Sequence, residues 1–262
     1  YKIEFIKGDL SVASFINKLP KKIDQILHLA GQSSGEKSFD NPILDLNKNI
    51  KSSLNLIKYG INNKASRILY ASSMSVYGSV NDQPVSENHK TNPLSCYGIG
   101  KKTSEDYLSV FKKKLPFLIY RMFNVYGPGQ DMSNLRQGMV SIFLSQAINS
   151  NSITVKGSLK RYRDFIYIDD VVDCWIKGFE LENLNNLKIN IGTGERTEVG
   201  FLINEIISHF NNISVNVEES TQGDQFGIYS SNQLMKSSFR LNNLTSLENG
   251  IKKFVDWAKN NK

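Results

Sequence analysis

Cysteine, histidine and long apolar runs are all scarce in this sequence. The two cysteines, Cys96 and Cys174, have no CxxC spacing, and His28, His89 and His209 are scattered. That excludes a recognisable zinc ligand set and a disulfide framework, and it sets a reducing cytoplasmic location as the expectation. No run of about 18 apolar residues occurs, so no membrane-spanning helix is expected. The opening Tyr1-Lys2-Ile3-Glu4-Phe5-Ile6 has too short an apolar stretch for a signal peptide. Neither GxGxxG nor GxxGxxG occurs, so the turn that holds a dinucleotide pyrophosphate has no match here. The net charge is +7, but the lysines stand singly or in short runs such as Lys101-Lys102 and Lys112-Lys113-Lys114. Without aromatics gathered on the same stripe, that pattern argues against nucleic-acid binding. Asp169, Asp170 and Asp173 are read as charging and capping a helix over Val171–Phe179, not as metal ligands.

What remains is an ordinary globular composition, 262 residues with 40% apolar and 22% charged side chains. That length suits one large α/β domain, alone or with a smaller lobe. Strands are expected at Lys2–Ile6, Ile23–Ala30, Arg67–Ser72 and Pro116–Met122. Helices are expected at Ser14–Leu19, Pro42–Tyr59 and Ser95–Lys114. This alternation predicts a doubly wound parallel sheet, with ligands outside the carboxyl ends of its strands. The loops at Gly8–Leu10, Leu29–Ser33, Ala71–Gly78 and Asn124–Gln130 therefore become the candidate binding segments. After about Gly129 the rhythm loosens, which suggests a smaller second lobe.

Within Tyr97-Gly98-Ile99-Gly100-Lys101 a phenol and an ammonium stand at i and i+4, on one face of a helix. A free phenol, with a pKa near 10, is a poor base at neutral pH. A cation about 5 Å away at an effective dielectric near 20 contributes about 3 kcal/mol, roughly two pKa units. Tyr97 can then accept a proton from an alcohol. The spacing alone is common, so its weight depends on the neighbouring segments.

Those segments form an ordered series: Gly8-Asp9-Leu10, His28-Leu29-Ala30-Gly31, Asn49, Ser72-Ser73-Met74-Ser75-Val76-Tyr77-Gly78, the Tyr97/Lys101 pair, Arg121–Gly129, Arg163–Asp170 and Asn190–Gly194. In this order they resemble the extended short-chain dehydrogenase/reductases, in particular the nucleotide-sugar epimerase/dehydratase family and most of all its UDP-glucose 4-epimerases. The resemblance implies a Rossmann-like domain over 1–128 plus about 162–192. It implies a nucleotide-sugar lobe over 129–161 plus 193–262. It implies Ser73, Tyr97 and Lys101 as catalytic residues. NAD would be bound by Asp9, Leu10, Leu29, Ala30, Gly31, Asn49, Ala71, Tyr97, Lys101 and Phe123. A nucleotide-diphosphate sugar would meet Ser75, Asn124, Gln137 and Arg163, the last through a guanidinium fork on the diphosphate, with Arg161 in reserve. A homodimer through helices about 42–59 and 95–114 is also implied. The sequence departs from the family at Thr221-Gln222-Gly223-Asp224, where Arg-x-Gly-Asp is common. Arg163 would then carry more of the diphosphate, or Arg240 would substitute.

The residues after Ser73 bear on the reaction. By the resemblance, 4,6-dehydratases have Asp-Glu there and UDP-glucuronate decarboxylases have Glu at the second position; here stand Met74 and Ser75. C4 epimerisation through a 4-keto intermediate is therefore the leading expectation. A 4-keto reductase, another dehydratase or decarboxylase of the family, and an inactive binding protein stand as alternatives. The first strand resembles the family's third, so roughly fifty residues carrying the Gly-rich turn are expected upstream. Without them NAD binding is expected to be weak.

Overall fold

The computed structural model describes residues 3–220, 225–241 and 243–261. Its main sheet holds four parallel strands in sequential order: β1 (Gln25–His28), β2 (Arg67–Ser73), β3 (Phe117–Met122) and β4 (Leu187–Ile191). Every residue of β2 is buried, as a strand covered on both faces must be. Its side chains alternate between two cores. Ile68 and Tyr70, with Phe117 and Ile119 of β3, face Leu56, Ile57 and Leu108. Leu69 and Ala71, with Leu118 and Tyr120, face Val171, Trp175 and Phe239. Each fully buried aliphatic side chain here contributes about 1.5–3 kcal/mol.

Arg67 enters this sheet as a buried charge with its partners supplied. Arg67 donates to the carbonyls of Gly178, Phe179 and Leu181, at 2.6, 2.6 and 2.8 Å. It thereby closes the carboxyl end of the Ile168–Glu180 helix, where positive charge is favoured. At the other end of that helix Asp169 and Asp170 lie in the first turn, but Tyr167 is the N-cap and no side chain caps it. Asp170 instead accepts from the Thr245 amide at 2.9 Å.

The expected strand at Lys2–Ile6 is not formed. Lys2 lies outside the described residues, and Ile3–Ile6 carries no ladder, with Ile3 and Phe5 91% and 86% exposed. A strand needs a neighbour to receive its amides and carbonyls, and the ladders described place β2 alone beside β1. The outer side of β1 leaves Leu27 and Leu29 exposed as well. The helix expected at Ser14–Leu19 is a single turn, Ala13–Ile16, continued by turn hydrogen bonds to Leu19.

The helix expected at Pro42–Tyr59 exists, with an irregularity. Pro42–Leu46, a π turn Asn47–Lys51 and Ser52–Asn62 follow without a break. Such an extra residue in the helical ladder is a feature often found beside functional sites. The Cys96–Phe111 helix packs against that turn. The outer faces of the two helical segments leave Ile43, Ile99 and Val110 exposed.

Beyond the main sheet a third core gathers Phe143 and Leu144 from the Met139–Ser150 helix, Ile153 and Val155 from a strand, and Leu202, Ile206 and Phe254 from two later helices. A parallel pair, Ser152–Lys156 with Ser214–Glu218, sits at its side.

Candidate active site

Strand β2 ends at Ser73, and a 3-10 turn, Met74–Val76, follows at once. The Ser73 hydroxyl accepts from the Ser75 amide at 3.1 Å, which fixes its place at the strand end. The Cys96–Phe111 helix begins beside it, capped by Ser95, whose hydroxyl accepts from the Gly98 amide. Only glycine fits at 98, because a Cβ there would stand 2.6 Å from the Ser75 carbonyl oxygen. This close approach sets Tyr97 beside Ser73 on the wall of one cavity.

Lys101 follows one turn later and is 4% exposed. Its Nζ donates to the Ala71 carbonyl at 2.8 Å and lies 5.0 Å from the Tyr70 ring centre and 5.6 Å from that of Tyr97. Burial pulls the Lys101 ammonium down to about 8, against the opposing charges of Asp45 and Glu105. Burial pushes the Tyr97 phenol up to about 12; the Ser73 hydrogen bond works the other way, and the Asp45 charge adds to the rise. The lowering expected from the i, i+4 spacing is therefore not what these residues produce by themselves. The cost of placing a phenolate in this buried setting exceeds the attraction to the ammonium.

Two adjoining cavities open on this centre. The first, about 290 Å³, is lined by Ser73, Tyr97, Phe123, Ser75, Asn124 and Gln137 among others. The second, about 340 Å³, shares Ser75, Asn124 and Gln137 and extends to Arg161, Arg163 and Gln225. The structure thus gathers Ser73, Tyr97 and the expected substrate residues along one cleft. Lys101 reaches this cleft only through Tyr97. Leu29, Ala30 and Gly31 continue, exposed, from the carboxyl end of β1, while Ala71 lies buried within β2.

Asn49 lies in the π turn, 1% exposed. Its amide donates to the Gln32 carbonyl and to Asp45 Oδ1, at 3.0 and 2.9 Å. Asp9 lies near it in the chain's packing: its carboxylate is bound by Lys48 at 2.6 Å and by Ser11, and the Lys48 bond above all holds it at about 2. The Leu10 carbonyl accepts from Asn55 at 2.8 Å.

Arg163 lines the second cavity but also does structural work. Its guanidinium donates to the carbonyls of Tyr162, Phe226 and Gln225, at 2.8, 3.2 and 2.8 Å. Burial first and the neighbouring Arg161 charge second draw it down to about 10. Asp164 beside it accepts from Thr193, Gly194 and Ser230, through amides and hydroxyls at 2.6–3.0 Å. It binds the Asn190–Gly194 segment to the cleft wall. The Thr221–Asp224 segment lies outside the described residues, and Arg240 ends a helix in the left-handed region, absent from the lining of either cavity.

Three residues of consequence were not singled out by sequence. Glu105, two turns after Tyr97 on the same face, pairs with Arg121 behind the site at 2.7 Å. Asp45 is a buried carboxylate near Lys101. Arg136, in the loop after Gly127, pairs with Glu36 at 2.9 Å and Asp40 at 2.6 Å across the cleft mouth. The i+4 step from Lys101 to Glu105 was a usable signal. No spacing marks the Arg136 pairs, which join segments about a hundred residues apart.

Known proteins resemble the chain in sequence and in fold. A putative UDP-glucose 4-epimerase of Methanocaldococcus jannaschii is 32% identical over 99% of this chain and 85% of its own length. A UDP-glucose 4-epimerase of Thermotoga maritima, solved with UDP-glucose, superimposes with a TM-score of 0.91 at 27% identity, over 98% of this chain and 84% of that one. A dTDP-4-dehydro-6-deoxyglucose reductase of Escherichia coli is 30% identical over 79% of this chain and 66% of its own length. Matched over residues 1–192 by the family's model, with Ser73 and Tyr97 lining one cleft and Lys101 buried behind the Tyr97 ring, the chain belongs to the NAD-dependent epimerase/dehydratase family.

Proposed function

We propose that the chain epimerises C4 of a nucleotide-diphosphate sugar of the UDP-glucose/galactose type, with NAD as cofactor. One observation carries the choice of reaction. Among the described residues lining the cavity at Tyr97 there is no carboxylate; hydroxyls, amides and apolar groups form its wall. Elimination of water requires an additional acid or base on the sugar, and Met74 and Ser75 offer neither a carboxylate nor an imidazole. Proton exchange at a single hydroxyl requires only the Tyr97 phenol.

The residues fit one side of NAD. A Cβ on Gly31 would stand 2.6 Å from Asn49 Oδ1 and 3.6 Å from Lys101 Nζ, so the glycine keeps open a cradle facing both groups. Asn49 Oδ1 is buried with no hydrogen-bond partner among the described residues. Leu29, Ala30 and Gly31, with Asn49, Ala71, Phe123 and Lys101, would hold the cofactor, and Asp9 and Leu10 its far end. Bound NAD supplies a reversible hydride acceptor, so that the sugar passes through a 4-keto state with no net redox change.

Tyr97 takes the proton of the 4-hydroxyl and returns it. Ser73, held by the Ser75 amide, hydrogen-bonds the same oxygen and keeps it in line with the phenol. Asn124 and Gln137 orient the sugar, and the two buried arginines at 161 and 163 give the far cavity the positive field that a diphosphate needs. In this reading residues 1–128 plus about 162–192 carry NAD, and 129–161 plus 193–262 carry the nucleotide sugar.

Incubating the full chain with NAD and either UDP-glucose or UDP-N-acetylglucosamine should yield the C4-inverted sugar without accumulation of NADH, read by proton NMR. Consumption of NADPH with a 4-keto sugar, and no inverted product, would replace this reading by the reductase. That alternative is favoured by the reductase relative.

The Arg136 pairs predict a second result. Both are partly exposed and contribute little to stability, under about 1 kcal/mol each. Their effect is to hold Gln137 and the cleft rim in place, with Gln137 Nε2 donating to Ser33 at 2.7 Å. Arg136→Ala should raise KM for the sugar several-fold with kcat nearly unchanged. A fall in kcat at constant KM would show that the rim acts on chemistry instead.

A further inference from the structure

The chemistry proposed for Tyr97 and Lys101 leaves one buried carboxylate beside them without a task. Asp45 is 2% exposed and stands on the short helix Pro42–Leu46, just before the π turn. Its Oδ1 accepts from Gln32 Nε2 at 2.8 Å and from Asn49 Nδ2 at 2.9 Å. Its Oδ2 is directed at the catalytic helix, since a Cβ on Gly100 would stand 3.3 Å from it. The same Cβ would stand 3.2 Å from Asn49 Cβ, so glycine at 100 lets the helix carrying Tyr97 and Lys101 close on this carboxylate. Gln32 also donates to the Ser34 carbonyl at 2.8 Å. Asp45 therefore joins three pieces of the site: the loop after β1, the π turn and the catalytic helix.

We infer that Asp45 is a positioning residue for the proton-handling pair. It is the buried counter-charge that keeps Lys101 an ammonium, and through Gln32 and Asn49 it fixes the loop and the turn that face it. The inference rests on the reading of Tyr97 and Lys101 as that pair. Burying an ammonium is costly unless an opposite charge is near. The groups facing Lys101 are Tyr97 and Glu105 on its own helix, Asp45 on Pro42–Leu46, Tyr70 on β2 and His28 on β1. Of these, Asp45 and Glu105 are the carboxylates, and Glu105 is already bound by Arg121, Lys188 and Ser72. His28 is kept neutral, drawn down to about 3 by burial first and then by the Lys101 charge, so it adds no competing cation. Asp45 is thus the carboxylate whose charge is least committed elsewhere.

The sign of its effect follows. A negative charge at 45 favours the ammonium of Lys101 and disfavours the phenolate of Tyr97, so it raises both pKa values. Removing it lowers both. Where bound oxidised nicotinamide brings the Tyr97 phenol below Lys101, Tyr97 sets the acid limb of kcat and Lys101 the alkaline limb, and the whole profile of Asp45→Asn should move to lower pH, by about one unit on the scale of a nearby charge. The substitution keeps the shape and an oxygen for Gln32, so KM should change little.

The test reads Lys101 directly, by the carbon-13 shift of its Cε against pH in the lysine-labelled full chain, assigned with Lys101→Met. Native Lys101 should titrate near pH 8, and in Asp45→Asn about one unit lower, with the alkaline limb of kcat moving by the same amount. An unchanged midpoint in folded Asp45→Asn would overturn the inference, as would a moved midpoint with a fixed rate profile. Should Asp45→Asn not fold, the Asp45 carboxyl carbon of the native protein decides. It should show an inflection at the Lys101 midpoint, and its absence would overturn the inference too. A native chain that turns over no sugar counts against the epimerase reading, while the Lys101 midpoint still decides the charge coupling.

Discussion

Tyr97→Phe should lower turnover by about 10³-fold, within the range that a positioned acid–base group contributes, and should leave the affinity for the nucleotide sugar within about threefold. The substitution removes one hydroxyl and keeps the ring that packs beside Lys101, 5.6 Å from its Nζ. It therefore isolates proton transfer from packing. The structure makes the expected loss large because no substitute base lines that cavity among the described residues. Ser73 cannot replace the phenol, since a serine hydroxyl without an adjacent base is a still weaker proton acceptor. The chain's own residues also leave the phenol protonated at neutral pH, pushed to about 12 by burial. The positive charge of an oxidised nicotinamide, held where proposed, would bring Tyr97 into range, and the rate should then depend on cofactor occupancy more steeply in the native protein than in the variant. Single-turnover rates on the two proteins at matched NAD and sugar saturation would check this. A loss below tenfold would remove Tyr97 from the chemistry.

Much of this site was legible because its parts are local. Ser73 is the last residue of a strand buried along its whole length around an apolar centre, and the Tyr97 to Lys101 step is fixed by helical geometry whatever the surroundings. Strands β2 and β3 were legible for the same reason, as continuous buried runs. Ile3–Ile6 has a comparable apolar pattern, but a pattern does not supply a ladder partner, and there it failed. The π turn at Asn47–Lys51 was not legible, since an extra residue in a helix has no compositional mark. Nor was the ionisation of Tyr97. The i, i+4 spacing shows the ammonium but not the desolvation, which depends on what covers the ring. The packing of Arg163 was not legible either: the residue type suited a diphosphate, while its carbonyl bonds to the 225–226 segment depend on a contact some sixty residues away.

The largest stability effect should come from Glu105, whose role is also non-local. It is 0% exposed and binds Arg121, itself 3% exposed, through both carboxylate oxygens, at 3.0 Å to Nε and 2.7 Å to Nη2. Ser72 donates to it at 2.6 Å and Lys188 lies at 3.2 Å. Arg121 continues the network to the Tyr77 hydroxyl at 3.0 Å. Glu105→Gln would set an amide donor against a buried guanidinium, and breaking such a pair costs about 3–5 kcal/mol. Urea unfolding at pH 7 should show that loss as a lower midpoint. The pH dependence has a definite sign. Burial alone would raise the Glu105 pKa, but the Arg121 bonds and charge, Lys188 and Ser72 together hold it below its ordinary value. A carboxyl lowered on folding stabilises the native state above its unfolded pKa, near 4.3, and that contribution is lost as pH falls through the folded value. The gap between native protein and variant should therefore be full at pH 7 and narrow in acid. Replacing both partners, Glu105→Leu with Arg121→Met, should recover most of the stability, because the cost lies in the stranded charge more than in the missing bond. A Glu105→Gln midpoint within about 1 kcal/mol of the native one would mean that Lys188 and water relieve Arg121, and the pair would then be a local contact without wider weight. Since Ser72 precedes Ser73 and Glu105 lies one turn beyond Lys101, the unfolding loss and a looser Ser73 hydroxyl should appear in the same variant.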